Sequence, residues 1–313
     1  MSAGRMMLNY GEGRLIGTPQ WGNCSRTYDH ARLSYSTQRA SIEALLVSPV
    51  KVQPDAFNQP VLGDRIWGVY GSFPGIWSTT LLETYLLRRN QNREGGFTGG
   101  SQSAGTDRLA VNTLGFRLAG PLAAGLKYSV EGAAQNGRVG PGDHRATAWF
   151  SSVSRRWIVG AKPVDFQWEY KFASGSRNPK DLSLSRTFDQ LYAANHDNFG
   201  HQDLIGWKNI HDTRVRTTFG ITSALSLNVM YSNFWLASAC DSLYNASGKS
   251  IARSASCSAG SHVGQEADIF AVYKYKHFQF GAGYGYFFTG KFLQQTTPGV
   301  SQTYVYIFHS YSL

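Results

Sequence analysis

Apolar and polar residues alternate with a period of two through most of this chain, and that alternation predicts strands. Asp165 to Ala173 shows it most clearly, with Phe166, Trp168, Tyr170 and Phe172 on one face and Asp165, Gln167, Glu169 and Lys171 on the other. Successive side chains of a strand point to opposite faces, so a strand patterned this way has one greasy side and one charged side. The split recurs with Leu126, Tyr128 and Val130 against Lys127, Ser129 and Glu131. It recurs again with Ile269, Ala271, Tyr273 and Tyr275 against Glu266, Asp268, Lys274 and Lys276. Reading back from Leu313, strands are predicted over 301–310, 277–288, 266–275, 224–236, 210–220 and 163–174. The same reading gives about fourteen strands for the whole chain.

The connections between these strands sort by length. Those at 291–300, 237–265 and 175–209 are long, whereas those at Lys276 and 222–224 are tight. Toward the N-terminus, long connections are expected near 137–142, 91–107, 51–63 and 10–26, and short ones near 158, 121, 75 and 37. An up-and-down barrel in an outer membrane has short periplasmic turns and long outer loops, and a soluble sandwich has no reason to sort its connections so. Several predicted strands also reach the roughly 9 to 11 residues that cross a bilayer on a tilt, beyond the usual five or six of a globular sheet. Aromatic residues gather near strand ends, as at Phe234 and Trp235 or Tyr284, Tyr286, Phe287 and Phe288, where an interfacial girdle sits. The expected fold class is all-β, a transmembrane up-and-down antiparallel β-barrel. No break in composition divides residues 1–313, so one domain is expected.

Composition narrows the alternatives. No stretch approaches the roughly 18 uninterrupted apolar residues of a membrane helix. The formal net charge of +10 calls for an anionic partner, whether lipopolysaccharide, an acidic solute or nucleic acid. Nucleic acid is set aside because the basic residues are spread through the strands and form no arm or helix. Of the three cysteines, Cys240 and Cys257 share one long connection and are candidates for a disulfide in an oxidising compartment, while Cys24 has no obvious mate; three free thiols are the other reading. No G-x-S-x-G, H-E-x-x-H or C-x-x-C motif is present, so neither catalysis nor a cofactor is expected. His196, Asp197, His201 and Asp203 match no standard metal spacing and read as turn or capping residues. Met1 to Tyr10 lacks the charged and apolar regions of a secretory signal and looks like the inside of a strand, so the expectation is an N-terminus that has lost its first segments.

If the greasy face meets lipid, the opposite face defines a lumen. By that assignment Arg32, Arg39, Arg117, Lys127, Arg145, Lys171, Arg214, Arg216 and Lys274 point inward, with Glu43, Glu131, Glu169, Glu266 and Asp268 among them. Guanidinium groups grip carboxylates through two parallel hydrogen bonds, so such a lumen would favour anions, with the acidic residues holding the arginines in place. The alternative is that these are ordinary cross-strand pairs filling a polar interior.

Several stretches resemble the alginate export family. They are Gly4-Arg5-Met6-Met7-Leu8-Asn9-Tyr10-Gly11-Glu12-Gly13-Arg14-Leu15-Ile16-Gly17 followed by Trp21-Gly22-Asn23, and Tyr28-Asp29-His30-Ala31-Arg32-Leu33. The strongest is Thr187-Phe188-Asp189-Gln190-Leu191-Tyr192, with Ala194-Asn195-His196 and Asp203 to Ile210 after it; Gly283 to Gly290 is similar to the family's penultimate strand. The final strand, with Tyr304, Tyr306 and Phe308 on one face, is similar to the aromatic-alternating last strand of outer-membrane barrels, though it closes on Leu313 and not on an aromatic. The resemblance implies a bacterial outer-membrane barrel of about eighteen strands whose electropositive, arginine-lined lumen passes an anionic polyuronate, so about four strands are expected to be missing at the N-terminus. It assigns family-typical roles to Arg5, Arg14 and Arg32, of which Arg14 lies in a loop motif. The expected function is an outer-membrane channel passing an anionic polysaccharide or its oligomers by diffusion. Outer-membrane lipid, lipopolysaccharide and periplasmic secretion components are its expected partners. The alternatives are a general anion-selective porin for small carboxylates and a soluble β protein that binds acidic glycans.

Overall fold

The alternating segments build one antiparallel sheet. A computed structural model of the chain describes residues 1–19, 21, 25–92, 108–178, 181–196 and 198–312. Gly22, Asn23, Cys24 and Asp197 lie outside the described residues. The sheet runs through Ser2–Met6, Tyr28–Ser36, Ser41–Lys51, Asp64–Ile76, Thr80–Gln91, Leu109–Pro121 and Leu126–Val139. It continues through Gly142–Val159, Lys162–Ala173, Ile210–Gly220, Leu225–Leu236, His262–Tyr275, Phe278–Thr289 and Gln302–Tyr311. Each of these strands pairs with its neighbour in sequence. Two short strands, Gln59–Pro60 and Leu184–Ser185, pair at the margin. Ser2–Met6 and Gln302–Tyr311 do not pair with each other, so the sheet is open.

Connection lengths alternate along the whole path. One rim carries the turns at 37–40, 77–79, 122–125, 160–161, 221–224 and 276–277, and the other carries the long connections at 174–209 and 237–261. The exception is 137–142, expected to be long: Leu126–Val139 and Gly142–Val159 are joined by Gly140 and Pro141 alone. Gly140 takes a φ of 58°, a left-handed conformation that glycine adopts without a Cβ penalty, and the hairpin turns tightly there. The strands on either side are 14 and 18 residues long, so length lies in the ladder and not in a loop.

Register settles the faces. Glu131 pairs with Arg117 and Phe150, Phe150 with Lys171, and Lys171 with Asp212, and all of these point to the concave side. The opposite side presents Leu33, Trp67, Leu86, Leu114, Trp168, Ile269, Val305 and Ile307, all exposed. Ile307 is 85% exposed, which water would penalise and a hydrocarbon layer would not. On the final strand the sides are the reverse of an aromatic lipid face. Tyr304, Tyr306 and Phe308 point inward opposite Gly285, Gly283 and Gly281, and Val305 and Ile307 meet the outside. A Cβ on Gly283 would lie 2.3 Å from the Tyr306 ring, so the rings occupy the room that the glycines leave.

Candidate functional site

The concave side is filled by the connections that lead into it. Leu8, Leu15 and Ile16 from the first connection, and Phe188, Leu191, Tyr192, Phe199, Ile205 and Trp207 from 174–209, form one buried cluster with Tyr28, Val47, Ile66 and Phe150 of the sheet. A bridge between Ile16 and Tyr192 ties the two connections together. Trp21 donates to Tyr304 Oη at 3.2 Å and packs edge-on to Tyr306, so the first connection also reaches the last strand. The 174–209 segment is a long connection because it folds inward, as its Phe, Leu, Tyr and Trp content requires.

Around this cluster the inward charges are joined in groups. Arg14 reaches Glu131 at 2.7 Å and Glu12 at 2.9 Å and lies 3.6 Å above the Phe150 ring; Tyr85 donates to the same Glu131 at 3.0 Å. Arg117 joins this group through Glu12 at 2.6 Å and through Glu83. Burial opposes ionisation of Glu12, but the Arg14 and Arg117 guanidiniums outweigh it and hold the carboxyl below its ordinary range. Arg32 pairs with Glu43 at 3.3 Å, and Tyr10 donates to Glu43 at 2.8 Å.

Nearer the long-connection rim, Arg89 is fully buried between Asp64 at 2.9 Å and Asp189 at 2.9 Å, with Tyr192 donating to Asp64 at 2.6 Å. Lys171 is held by Glu169 at 2.8 Å and Asp212 at 2.7 Å, and Arg214 shares Glu169 at 2.7 Å. Glu266 accepts from the backbone N–H groups of His201 and Gln202, and Tyr306 meets His201 Nε2 at 2.6 Å. Asp268 lies two residues further on the same inward face.

The short-turn end is different. Lys127, Gln167, Arg216 and Thr218 line a hollow of about 410 Å³ with Arg156 and Asp165, the last two paired at 2.6 Å. Arg216 Nε also approaches Met230 Sδ at 2.9 Å. Lys274 points inward at the same end and forms no ion pair among the described residues.

Three expected lumen residues face elsewhere. Arg5 pairs with outward Asp29, at 2.6 Å, and donates to the Asn58 carbonyl, because Tyr28 and His30 on either side of Asp29 take the inward positions. Arg39 sits exposed in the turn after Ser36. Arg145 is exposed on the outer face, since His144, Ala146 and Ala148 are the buried positions of its strand. The small residues around Arg145 give its segment little contrast between faces, so the alternation could not be phased from sequence there. Asp64, Glu83, Arg89, Asp189 and Asp212 were not singled out by sequence reasoning. Asp189 lies within the Thr187 to Tyr192 motif, the one signal that pointed toward it.

Cys240 and Cys257 are joined by a disulfide within the 237–261 connection. His196 Nδ1 bonds Asp203 at 3.0 Å, inside the 174–209 connection.

The family model described as alginate export matches residues 1–307. No curated protein matches the sequence. Among solved structures, OccD3 (OpdP) of Pseudomonas aeruginosa superposes with a TM-score of 0.58 at 13% identity, covering 99% of this chain and 74% of that one. OccK3 (OpdO) of the same organism gives 0.52 at 12% identity, over 89% of this chain and 69% of that one. Both are outer-membrane β-barrel porins, and at such identity the likeness is one of fold.

Proposed function

We propose, from the premise that the chain belongs to the alginate export family and is an outer-membrane channel, that it passes an anionic polysaccharide of the polyuronate class or its oligomers by diffusion. The observation that carries this reading is the chemistry of the interior pairs. Arg14, Arg32, Arg117 and Arg214 each hold a carboxylate of the protein on the concave side. A uronate offers the same planar acceptor, so it can share these guanidiniums with the protein carboxylates, which keep each arginine turned toward the concave side. Entry from the short-turn end begins at Lys127, Arg216 and Lys274, where cations outnumber carboxylates and attract an anion over a distance of about a Debye length, roughly 8 Å at physiological salt.

A second reading, a porin for small carboxylates, is favoured by the buried cluster that the two inward connections build on the concave side. Planar-bilayer recordings of the full chain test both. Replacing Lys127, Arg216 and Lys274 together by Gln is expected to move the reversal potential in a salt gradient toward cations and to abolish block by oligouronates. An unchanged anion preference would sink the basic pathway. Conduction of monouronate with no interaction with a hexamer would select the small-carboxylate porin.

A further inference from the structure

The outer face carries a row of polar side chains just below the long-connection rim. Arg88, Asn112, Asn136 and Arg145 are successive cross-strand partners. Arg88 donates to Asn112 Oδ1 at 3.0 Å, and Asn112 donates to Asn136 Oδ1 at 2.9 Å. Down the strand from Arg145 the outward residues are Thr147, Trp149, Ser151 and Val153, and the next charge is Arg155. Ten positions at about 3.3 Å each, on a strand tilted by about 40°, span about 25 Å, the height of the apolar band of an outer-membrane barrel. The row therefore marks one edge of that band.

Two hollows meet at this row. Below it lies a groove of about 820 Å³ walled by Leu33, Leu46, Trp67, Val69, Leu86 and Leu114, with Arg88, Asn112 and Asn136 at its polar end. Beside it lies a second hollow of about 770 Å³ lined by Asn136, Arg145, Arg177 and Arg186, with Phe172 and His211. Asn136 belongs to both, and Leu114 of the first is the cross-strand partner of Ala134 of the second, so the apolar groove adjoins the arginine-lined one. Arg145, Arg177 and Arg186 are exposed and form no ion pair among the described residues, in contrast to the paired arginines of the interior. Asp143, an acidic residue of this face, is the cross-strand partner of Arg138, one row higher.

An apolar slot at the depth of acyl chains, adjoining guanidiniums without an ion pair at the depth of headgroups, is complementary to one class of molecule. We propose that this face binds a phosphorylated, multi-acylated lipid of the outer leaflet, of the lipid A class. Its acyl chains lie in the Leu86–Leu114 groove, and its phosphates are gripped by Arg145, Arg177 and Arg186. Guanidinium meets phosphate through two parallel hydrogen bonds, which makes arginine the fitting side chain at this height. The proposal rests on the outer-membrane placement and is independent of what the channel conducts.

The test is binding of fluorescent lipid A to the full chain in detergent micelles. Each guanidinium at a membrane surface contributes on the order of fivefold in affinity, so Arg145→Gln, Arg177→Gln and Arg186→Gln together are expected to weaken binding on the order of 100-fold. The corresponding triple Lys variant, which keeps the charge but loses the paired hydrogen bonds, is expected to fall between the parent and the Gln variant, and Arg155→Gln, at the opposite edge of the band, to retain full affinity. If the triple Gln variant loses its folded gel mobility, Arg177→Gln alone, on an exposed connection, is expected to give the single fivefold step. Unchanged binding by the Gln variants would overturn the site. Equal competition by inorganic pyrophosphate would show an anion site without a lipid, and equal affinity for phosphatidylglycerol would show a general acidic-lipid surface; either result overturns the proposal. Anion preference in bilayer recordings is expected to be the same in the triple variant, which separates this site from the conduction pathway.

Discussion

At the scale of single residues, the interior is ordered by the rule that a buried charge needs a partner. Arg89 could be buried fully only because Asp64 and Asp189 reach it from a strand and a connection far apart in sequence. Lys208 of the 174–209 connection is also buried, over the Tyr244 ring at 4.5 Å. Burial pushes its ammonium down to about 8, against the pull of Asp189 and Asp241. The unfolded chain holds this proton more tightly, so burial of the charged form penalises the fold in full below pH 8. The penalty is relieved as pH rises toward the ordinary lysine value of 10.5. This residue is expected to add about 2 kcal/mol of stability between pH 8 and pH 10, and Lys208→Met to remove that slope. Urea unfolding of both proteins at the two pH values checks it; parallel curves would show that the ammonium is not buried in solution. None of this was legible in the sequence, because Lys208 stands in a motif of mixed polarity and its burial depends on a neighbour 36 residues later.

At the scale of elements, the strand periodicity was legible and its phase mostly so. Asp165 to Ala173, with four aromatics on one face, could be assigned from sequence, and its register agrees with that assignment. The last strand could not. Tyr304, Tyr306 and Phe308 look like a lipid face until Gly281, Gly283 and Gly285 are set opposite them, where rings over glycines fill an inward surface. Glycine acts differently at Gly137, whose φ of 146° would place a Cβ 2.1 Å from the Ala110 carbonyl oxygen across the ladder. Gly137→Ala is expected to pry apart Leu109–Pro121 and Leu126–Val139 at that point and to destabilise the protein by about 1 to 3 kcal/mol. A lowered transition temperature, followed by the shift in gel mobility on heating, is the measurement. A variant as stable as the parent would mean that the kink is not maintained in the membrane.

At the scale of the whole molecule, the sheet has two surfaces of opposite character and each belongs to a different solvent. Exposed Leu33, Leu114, Ile269, Val305 and Ile307 form the outward side, and paired charges with a buried aromatic cluster form the inward one. The full chain is accordingly expected to need detergent or lipid to remain monodisperse in size-exclusion chromatography. A monodisperse species in plain buffer would overturn the membrane placement of the outer face. The sequence by itself determined the strands, the alternation of short and long connections and the two-faced character of the sheet, because these are written in local order with a period of two, and its motifs carried the resemblance to the family. Only the tertiary structure decided which charges meet. Arg14 finds Glu131 across 117 positions, Arg89 finds Asp189 across 100, and Arg145, expected in the lumen, faces out beside Arg177 and Arg186. Period two gives each residue a side of its strand but not a neighbour, and neighbours are fixed by register and by connections that fold back into the concave face.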